Sequence, residues 1–270
     1  MFEKSRGLAA HWGPLAKGIG ERVKQKVVTI AALVGCLIVL TGGAGAIDLD
    51  TIGAEVAAAQ RSYDVQNAKQ LLSELSDAVD DSSSEEAKFG LARAALLVAE
   101  LIRLDYEQND LPPKESRVMG REIDDAARIG HEILKSVPNV SEKFRIKADL
   151  WGTMIRSDFK GKKYGGEMDS AAKKALKLGP ENPNAYVTAS KRPLFATEKQ
   201  GGDIPKAIGL LDKALALDPE HERALIFRGI AREKLDDMEG ALQDWNRATE
   251  LNPNSRLATE NIERVGHLGE

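Results

Sequence analysis

The chain has a single cysteine, Cys36, and none after it. No disulfide framework can support the remainder, so its stability has to come from packing alone. It lacks any sustained period-2 run of β-branched residues, which leaves no candidate sheet. Its four histidines, His11, His131, His221 and His267, stand far apart, with no Cys or second His at ligand spacing. That argues against a metal site and fits solvent-facing or capping roles. Companion motifs of catalysis are missing too. Ser170-Ala171-Ala172-Lys173 reads S-x-x-K but lies in an Ala/Lys segment without the partners that serine acyl enzymes need. Gly42-Gly43-Ala44-Gly45 opens no βαβ unit. No catalytic residue, metal or cofactor is therefore expected.

Long apolar runs are scarce as well, and the one present is short. Residues 1–26 carry six basic side chains against two acidic ones, and Val27–Leu40 follows as fourteen residues without charge. A spanning helix wants roughly 20 apolar residues, so the run has the length of a signal-peptide core. Ala44 and Ala46 then form an A-x-A pattern, and cleavage before Ile47 is the leading reading. Two others stay open. With its Gly/Ala tail the segment 27–46 reaches the length of an uncleaved anchor, and Leu33-Val34-Gly35-Cys36 resembles a lipobox, although apolar Leu37–Leu40 follows where lipoproteins turn polar. All three leave the basic segment in the cytoplasm and put the rest outside, in the periplasm or anchored to the cytoplasmic membrane.

Positive charge is also in short supply beyond this segment. Setting aside residues 1–46 reduces 38 basic and 42 acidic side chains by six and two, to 32 against 40, a net of −8. Such a surface repels phosphate backbones and excludes nucleic acid as a partner.

What is present is helix. Residues 48–140 read as divergent helical hairpins: one helix from Asp50 or Thr51 to Tyr63, a second over 64–80, and a third with Phe89, Ala92, Leu96, Ala99, Ile102 and Tyr106 on one apolar face. Ser83 with Glu86 predicts a capping box for that third helix. Pro112-Pro113 ends it, and Met119, Ile123, Ala126, Ile129, Ile133 and Val137 mark the antiparallel return to Pro138. Residues 141–270 open with a helix carrying Phe144, Ala148, Trp151, Ile155 and Phe159, then a basic Gly-containing loop at Lys160–Gly166 and a short helix. Lys160, Lys162, Lys163, Lys191 and Arg192 read as solvated loop charges rather than an anion site.

A repeat then emerges. Ala175–Pro180, Ala214–Pro219 and Ala248–Pro253 share one pattern, with prolines 39 and then 34 residues apart. About five extra residues fall around Ser190–Gly202, and Gly165-Gly166 and Gly201-Gly202 are placed to make the turns inside two hairpins. Within Glu222–Ser255, Leu225, Gly229, Ala241, Trp245, Ala248 and Pro253 stand at the offsets of a tetratricopeptide hairpin, and Ala207 and Ala214 keep the small positions of the preceding unit. The segment resembles the tetratricopeptide repeat (TPR) family. Small residues let helix backbones approach and one large side chain fills the space created.

That resemblance implies an all-α fold, an α-solenoid of antiparallel helix pairs closed by a C-terminal capping helix. It also implies a non-enzymatic scaffold that binds a protein or peptide, the alternative being a transport accessory holding a small ligand in the helical stack. Groove side chains in the last hairpin would be Arg223, Ile226, Phe227, Ile230, Glu233 and Lys234, with Phe227 and Ile230 either gripping an apolar peptide whose carboxylates meet Arg223 and Lys234, or covered by the terminal helix from Asn254 onward. Two departures stand out: Arg228 and Arg232 replace a usual leucine and tyrosine and predict that this hairpin packs less tightly or forms an end of the array, and Pro193 inside a first helix predicts an irregular hairpin.

Overall fold

A computed structural model of the chain describes residues 51–109 and 111–266. The apolar segment 27–46 with Cys36, the Ala46–Ile47 junction and Asp50, together with His11 and His267, lies outside the described residues. Among those described there are helices and no strands, and no helix is long and apolar enough to cross a membrane.

Local chemistry sets the helix ends. α1 (Ile52–Ser62) stops where Tyr63 turns left-handed at φ 53°. Asp64 then caps α2 (Val65–Ala78), accepting from the Gln66 and Asn67 amides at 2.8 and 3.1 Å. Such a cap is worth about 1 kcal/mol. α3 (Glu85–Gln108) begins one residue later than a Ser83–Glu86 box requires: Ser84 accepts from the Ala87 amide, while Ser83 Oγ accepts from the Asp80 amide in the preceding turn. α4 (Pro113–Ile133) starts on Pro113, whose missing N–H is no loss at that position, and tightens into a 3-10 turn at Leu134–Ser136.

The apolar face expected on α3 is wider than one stripe. Leu91, Ala92, Ala94, Ala95, Leu96, Leu97, Val98 and Ala99 are all buried, because α1, α2, α4 and the next hairpin surround the helix. A helix apolar all round belongs in a core.

The following region differs most from the sequence reading. α5 (Ser141–Met154) ends early, Ile155–Ser157 makes the turn, and α6 runs unbroken from Asp158 to Leu178. Lys160–Gly166 is therefore helix, not loop, and Gly165-Gly166 makes no turn. Ser157 accepts from the Lys160 amide to start α6, and Met168, Ala171, Ala172 and Ala175 bury one face of it. Phe159 sits past the break and is 75% exposed, so it leaves the stripe of Phe144 and Ala148.

α7 (Pro183–Phe195) is capped by Asn182 and contains Pro193 two residues from its end. The extra residues of this hairpin form a 3-10 turn, Glu198–Gln200, closed by Gly201 at φ 100°. Asp203 caps α8 (Ile204–Leu217), His221 caps α9 (Glu222–Glu233), and Asp237 caps α10 (Met238–Leu251); α11 (Arg256–Gly266) packs on α10. Each repeat proline, Pro180, Pro219 and Pro253, follows two residues after a second helix ends.

Four hairpins result, α3/α4, α5/α6, α7/α8 and α9/α10, with α3, α5, α7 and α9 side by side. In the last hairpin Trp245 is fully buried and its Nε1 donates to the Ile226 carbonyl at 3.1 Å. Gly229 makes this possible, since a Cβ there would lie 2.4 Å from Trp245 Nε1. Of the two readings of Arg228 and Arg232, looser packing does not occur, while the hairpin does stand last among the described pairs, followed only by α11. Arg228 grips buried Asp244 at 2.9 and 2.6 Å, and Arg232 reaches the same carboxylate at 2.9 Å, so a charge cluster takes the place of the family's apolar pair.

Candidate functional site

The first helices of the hairpins carry a ladder of alternating charge. Glu142 on α5 accepts from Arg93 of α3 at 2.9 Å and from Arg145 at 2.8 and 2.7 Å. Arg145 continues to Asp149 at 3.1 Å, and Asp149 accepts from Thr188 Oγ1 at 2.9 Å and pairs with Lys191 Nζ at 2.8 Å, both on α7. Lys191 returns to Glu100 of α3 at 3.2 Å, and Glu100 also holds Arg223 of α9. All four first helices are thus joined by ion pairs in which no carboxylate lacks a cation.

Electrostatics follow from that geometry. Burial alone would raise the Glu100 carboxyl, but Arg223 and Lys191 outweigh it and hold the group at about 2. Glu142 is likewise penalised by burial and held at about 2 by Arg145 and Arg93. Groups fixed this far down stay ionised at neutral pH and neither give nor take protons there.

The two ends of the array meet. Tyr63, on the turn between α1 and α2, donates to Glu222 Oε1 of α9 at 3.0 Å, and Ser255 Oγ and Asn252 Nδ2 donate to the same carboxylate at 2.6 and 3.1 Å. Burial and the Glu222 charge push the Tyr63 hydroxyl up to about 12. Arg256 of α11 bonds Asp105 of α3 at 2.5 Å.

Inside this curve lies a cavity of about 920 Å³. Leu97, Leu101, Leu104, Ile155, Met168 and Leu257 contribute apolar wall, and Phe195, 54% exposed, meets Phe227 edge-on with ring centres 5.6 Å apart. Of the groove residues expected from the sequence, Arg223, Ile226, Phe227 and Ile230 line the cavity. Their roles differ from expectation. Arg223 is committed to Glu100, Ile226 is buried, and Phe227 and Ile230 are half-buried rather than open. Glu233 and Lys234 are not part of the lining: Glu233 pairs with Arg264 of α11 at 2.5 Å, and Lys234 stands exposed beyond the end of α9.

The basic side chains assigned to loops are helical and mostly engaged. Lys160 bonds Asp124 at 2.8 Å, and Arg192 donates to the Gln200 and Gly165 carbonyls at 3.0 and 3.2 Å. His221 caps α9 through Nδ1, which accepts from the Ala224 amide, so Nε2 carries the proton facing Asn184 Oδ1 at 3.1 Å. His131 packs on Trp151 with ring centres 4.2 Å apart and planes tilted by 39°, outside the cavity, and burial with nearby Lys147 lowers it to about 4. Among the described residues no cluster of three His, Cys, Asp or Glu side chains is arranged to hold a metal ion.

Sequence reasoning missed Glu100 and Asp149, took Lys191 for a solvated loop charge, and marked Tyr63 only as a helix boundary. The spacing of Glu142, Arg145 and Asp149 at steps of three and four was a visible intrahelical signal. Glu100 and Arg223 are 123 positions apart, and no local pattern joins them.

No family model matches the chain. Over 109 residues, 40% of its length, it is 28% identical to the protein PHOX3 of Arabidopsis thaliana, of which it spans 13%. Among solved structures it is similar to TTC0263, a thermophilic TPR protein in Thermus thermophilus, with a TM-score of 0.53, 14% identity, and coverage of 79% of this chain and 97% of that one. The HusA haemophore from Porphyromonas gingivalis aligns with a TM-score of 0.49 and 17% identity, covering 80% and 98% of the two chains. YrrB, a TPR protein with an unusual peptide-binding site, aligns at 0.39 and 14%, covering 90% and 99%. The likeness to TTC0263 shows the fold: the described residues form a TPR-type helical solenoid.

Proposed function

We propose that this chain is a non-enzymatic protein-interaction scaffold of the cell envelope or periplasm, which holds a peptide segment of a partner protein in the concave cavity. One observation carries the reading. The first helices of four hairpins converge on a large apolar hollow whose charged floor is already neutralised, so what it offers an incoming molecule is shape and apolar surface. The ionised carboxylates around it suit electrostatic support better than proton transfer. Export rests on the basic and apolar segments 1–26 and 27–46, and the acidic balance after them disfavours nucleic acid. Attachment to a membrane through an uncleaved segment 27–46 belongs to the same proposal.

The test is selection of peptides from a random display library against the full chain, repeated with Phe195→Asp. Phe195 is 54% exposed and lines the cavity, so the change removes its edge-on contact with Phe227 but no fully buried side chain. Selected peptides should lose affinity for the variant; peptides that bind both proteins equally place the site elsewhere. N-terminal sequencing of the protein from cells tests the location: Ile47 at the start means a soluble exported form, and an intact start means an anchor.

The cavity volume favours a second reading, a transport accessory that carries a small ligand, because about 300–1,000 Å³ is the usual size of a small-molecule site. Co-purified small molecules released on denaturation, with no peptide recovered by selection, would select it.

A further inference from the structure

The charges lining the cavity are unevenly committed. Glu100 and Asp149 are held in the ladder, and Glu107 accepts from Arg103 at 2.7 Å. The cations Arg103, Lys191 and Arg223 are used in the same contacts, and Arg192 is turned onto backbone carbonyls. Two lysines remain. Lys162 and Lys199 are exposed, line the cavity, and make no ion pair or hydrogen bond among the described residues.

These lysines share one lip. α6 and the 3-10 turn Glu198–Gln200 meet where a Cβ on Gly161 would lie 3.5 Å from Gln200 Oε1, which sets Lys162 and Lys199 on either side of one contact. Phe195, 54% exposed at the end of α7 and just before that 3-10 turn, also lines the cavity. One carboxylate without a cation among the described residues, Asp158, also reaches the lining, so the uncommitted balance there is two positive charges against one negative. On a body with a net charge of −8 beyond residue 46, this is a local reversal of sign.

We infer that the lip of Lys162, Lys199 and Phe195 selects an acidic peptide segment bearing an apolar anchor. The inference rests on the reading of the cavity as a peptide site and adds the chemistry of the partner. The anchor stacks on Phe195 and enters the apolar hollow, while Asp or Glu side chains beside it meet the two lysines. Exposed ammonium groups contribute through attraction at the rim, so they govern which peptide is accepted and how fast it arrives. The positions differ from those expected at sequence level, where Arg223 and Lys234 had this role: Arg223 is consumed by Glu100, and Lys234 lies off the cavity.

Peptides selected on the full chain provide the probe. Their sequences should be enriched in Asp and Glu next to an aromatic or branched apolar residue. The double variant Lys162→Glu/Lys199→Glu should bind them roughly tenfold more weakly or worse, the scale of about 1.4 kcal/mol. Lys213→Glu, on the exposed face of α8 outside the lining, should bind them as the parent does. Neutral or basic peptides, or acidic ones indifferent to the double charge reversal, overturn the inference while leaving the cavity reading intact provided they still respond to Phe195→Asp. Peptides indifferent to Phe195→Asp overturn both.

Discussion

Replacing Gly229 with alanine should destabilise the protein, although alanine is by far the better helix former. In an exposed helix the change would gain about 1 kcal/mol. Here the new methyl would lie 2.4, 2.7 and 2.8 Å from Nε1, Cδ1 and Cε2 of Trp245, and that ring is fully enclosed. Overpacking of this kind costs about 1–3 kcal/mol, and displacing the indole from the Ile226 carbonyl removes a buried hydrogen bond worth about 1 kcal/mol. The net expectation is a loss of about 2 kcal/mol, or about 4–8 °C in Tm for a chain of this size. Trp245→Leu alone should cost about 3 kcal/mol through the lost ring. In that background Gly229→Ala should become neutral or stabilising, which makes the coupling between the two sites about 2–3 kcal/mol. Urea unfolding of the four proteins, with unchanged slope, measures it. If Gly229→Ala costs the same with and without the tryptophan, close approach to the ring is not what the glycine is for.

Three other outcomes follow from the ion pairs and the buried histidine. Glu100 has its carboxyl lowered from an ordinary 4.5 to about 2, so its contribution is complete above pH 4.5 and disappears as pH falls toward 2. Glu100→Gln should flatten that part of the acid unfolding profile and cost about 3 kcal/mol near neutrality, and an unaltered profile would refute the pairing. His131 is lowered from 6.5 to about 4, so the folded state resists its protonation and stability should fall between those pH values by as much as about 3 kcal/mol. His131→Phe, which keeps the ring contact with Trp151, should remove that slope in urea melts at pH 7 and pH 5. Tyr63→Phe should cost about 1 kcal/mol by deleting the bond to Glu222, and hydrogen exchange should rise first in the α1–α2 turn and at the start of α9.

Local pattern disclosed a good part of this molecule. The recurring Ala-x-x-Leu-x-Pro endings and the Gly229–Trp245 pair announce hairpins, because close helix contacts demand small and large residues at fixed offsets. α6 was hidden for the opposite reason. Gly161, Gly165 and Gly166 among lysines weaken a helix locally, yet the Ser157 cap and a buried face from Met168 to Ala175 outweigh them. Arg228 and Arg232 were visible as departures from the repeat, but Asp244, the carboxylate that justifies both, carries no mark in a one-dimensional pattern. The cavity was legible to the extent that one hairpin supplies it. Its other walls come from α3, α5, α6, α7 with the turn after it, and α11, whose side chains meet only once the array is curled.

A solenoid in which each repeat touches only its neighbours can be lengthened, shortened or frayed from either tip at little cost to the rest. The Tyr63–Glu222 bond joins positions 159 residues apart and removes that freedom. Inserting one more 34-residue unit anywhere between the two would pull the ends out of reach of each other and forfeit this bond, worth about 1 kcal/mol. Changing the lip residue by residue leaves that bond in place, whereas resizing the array by duplicating a module loses it.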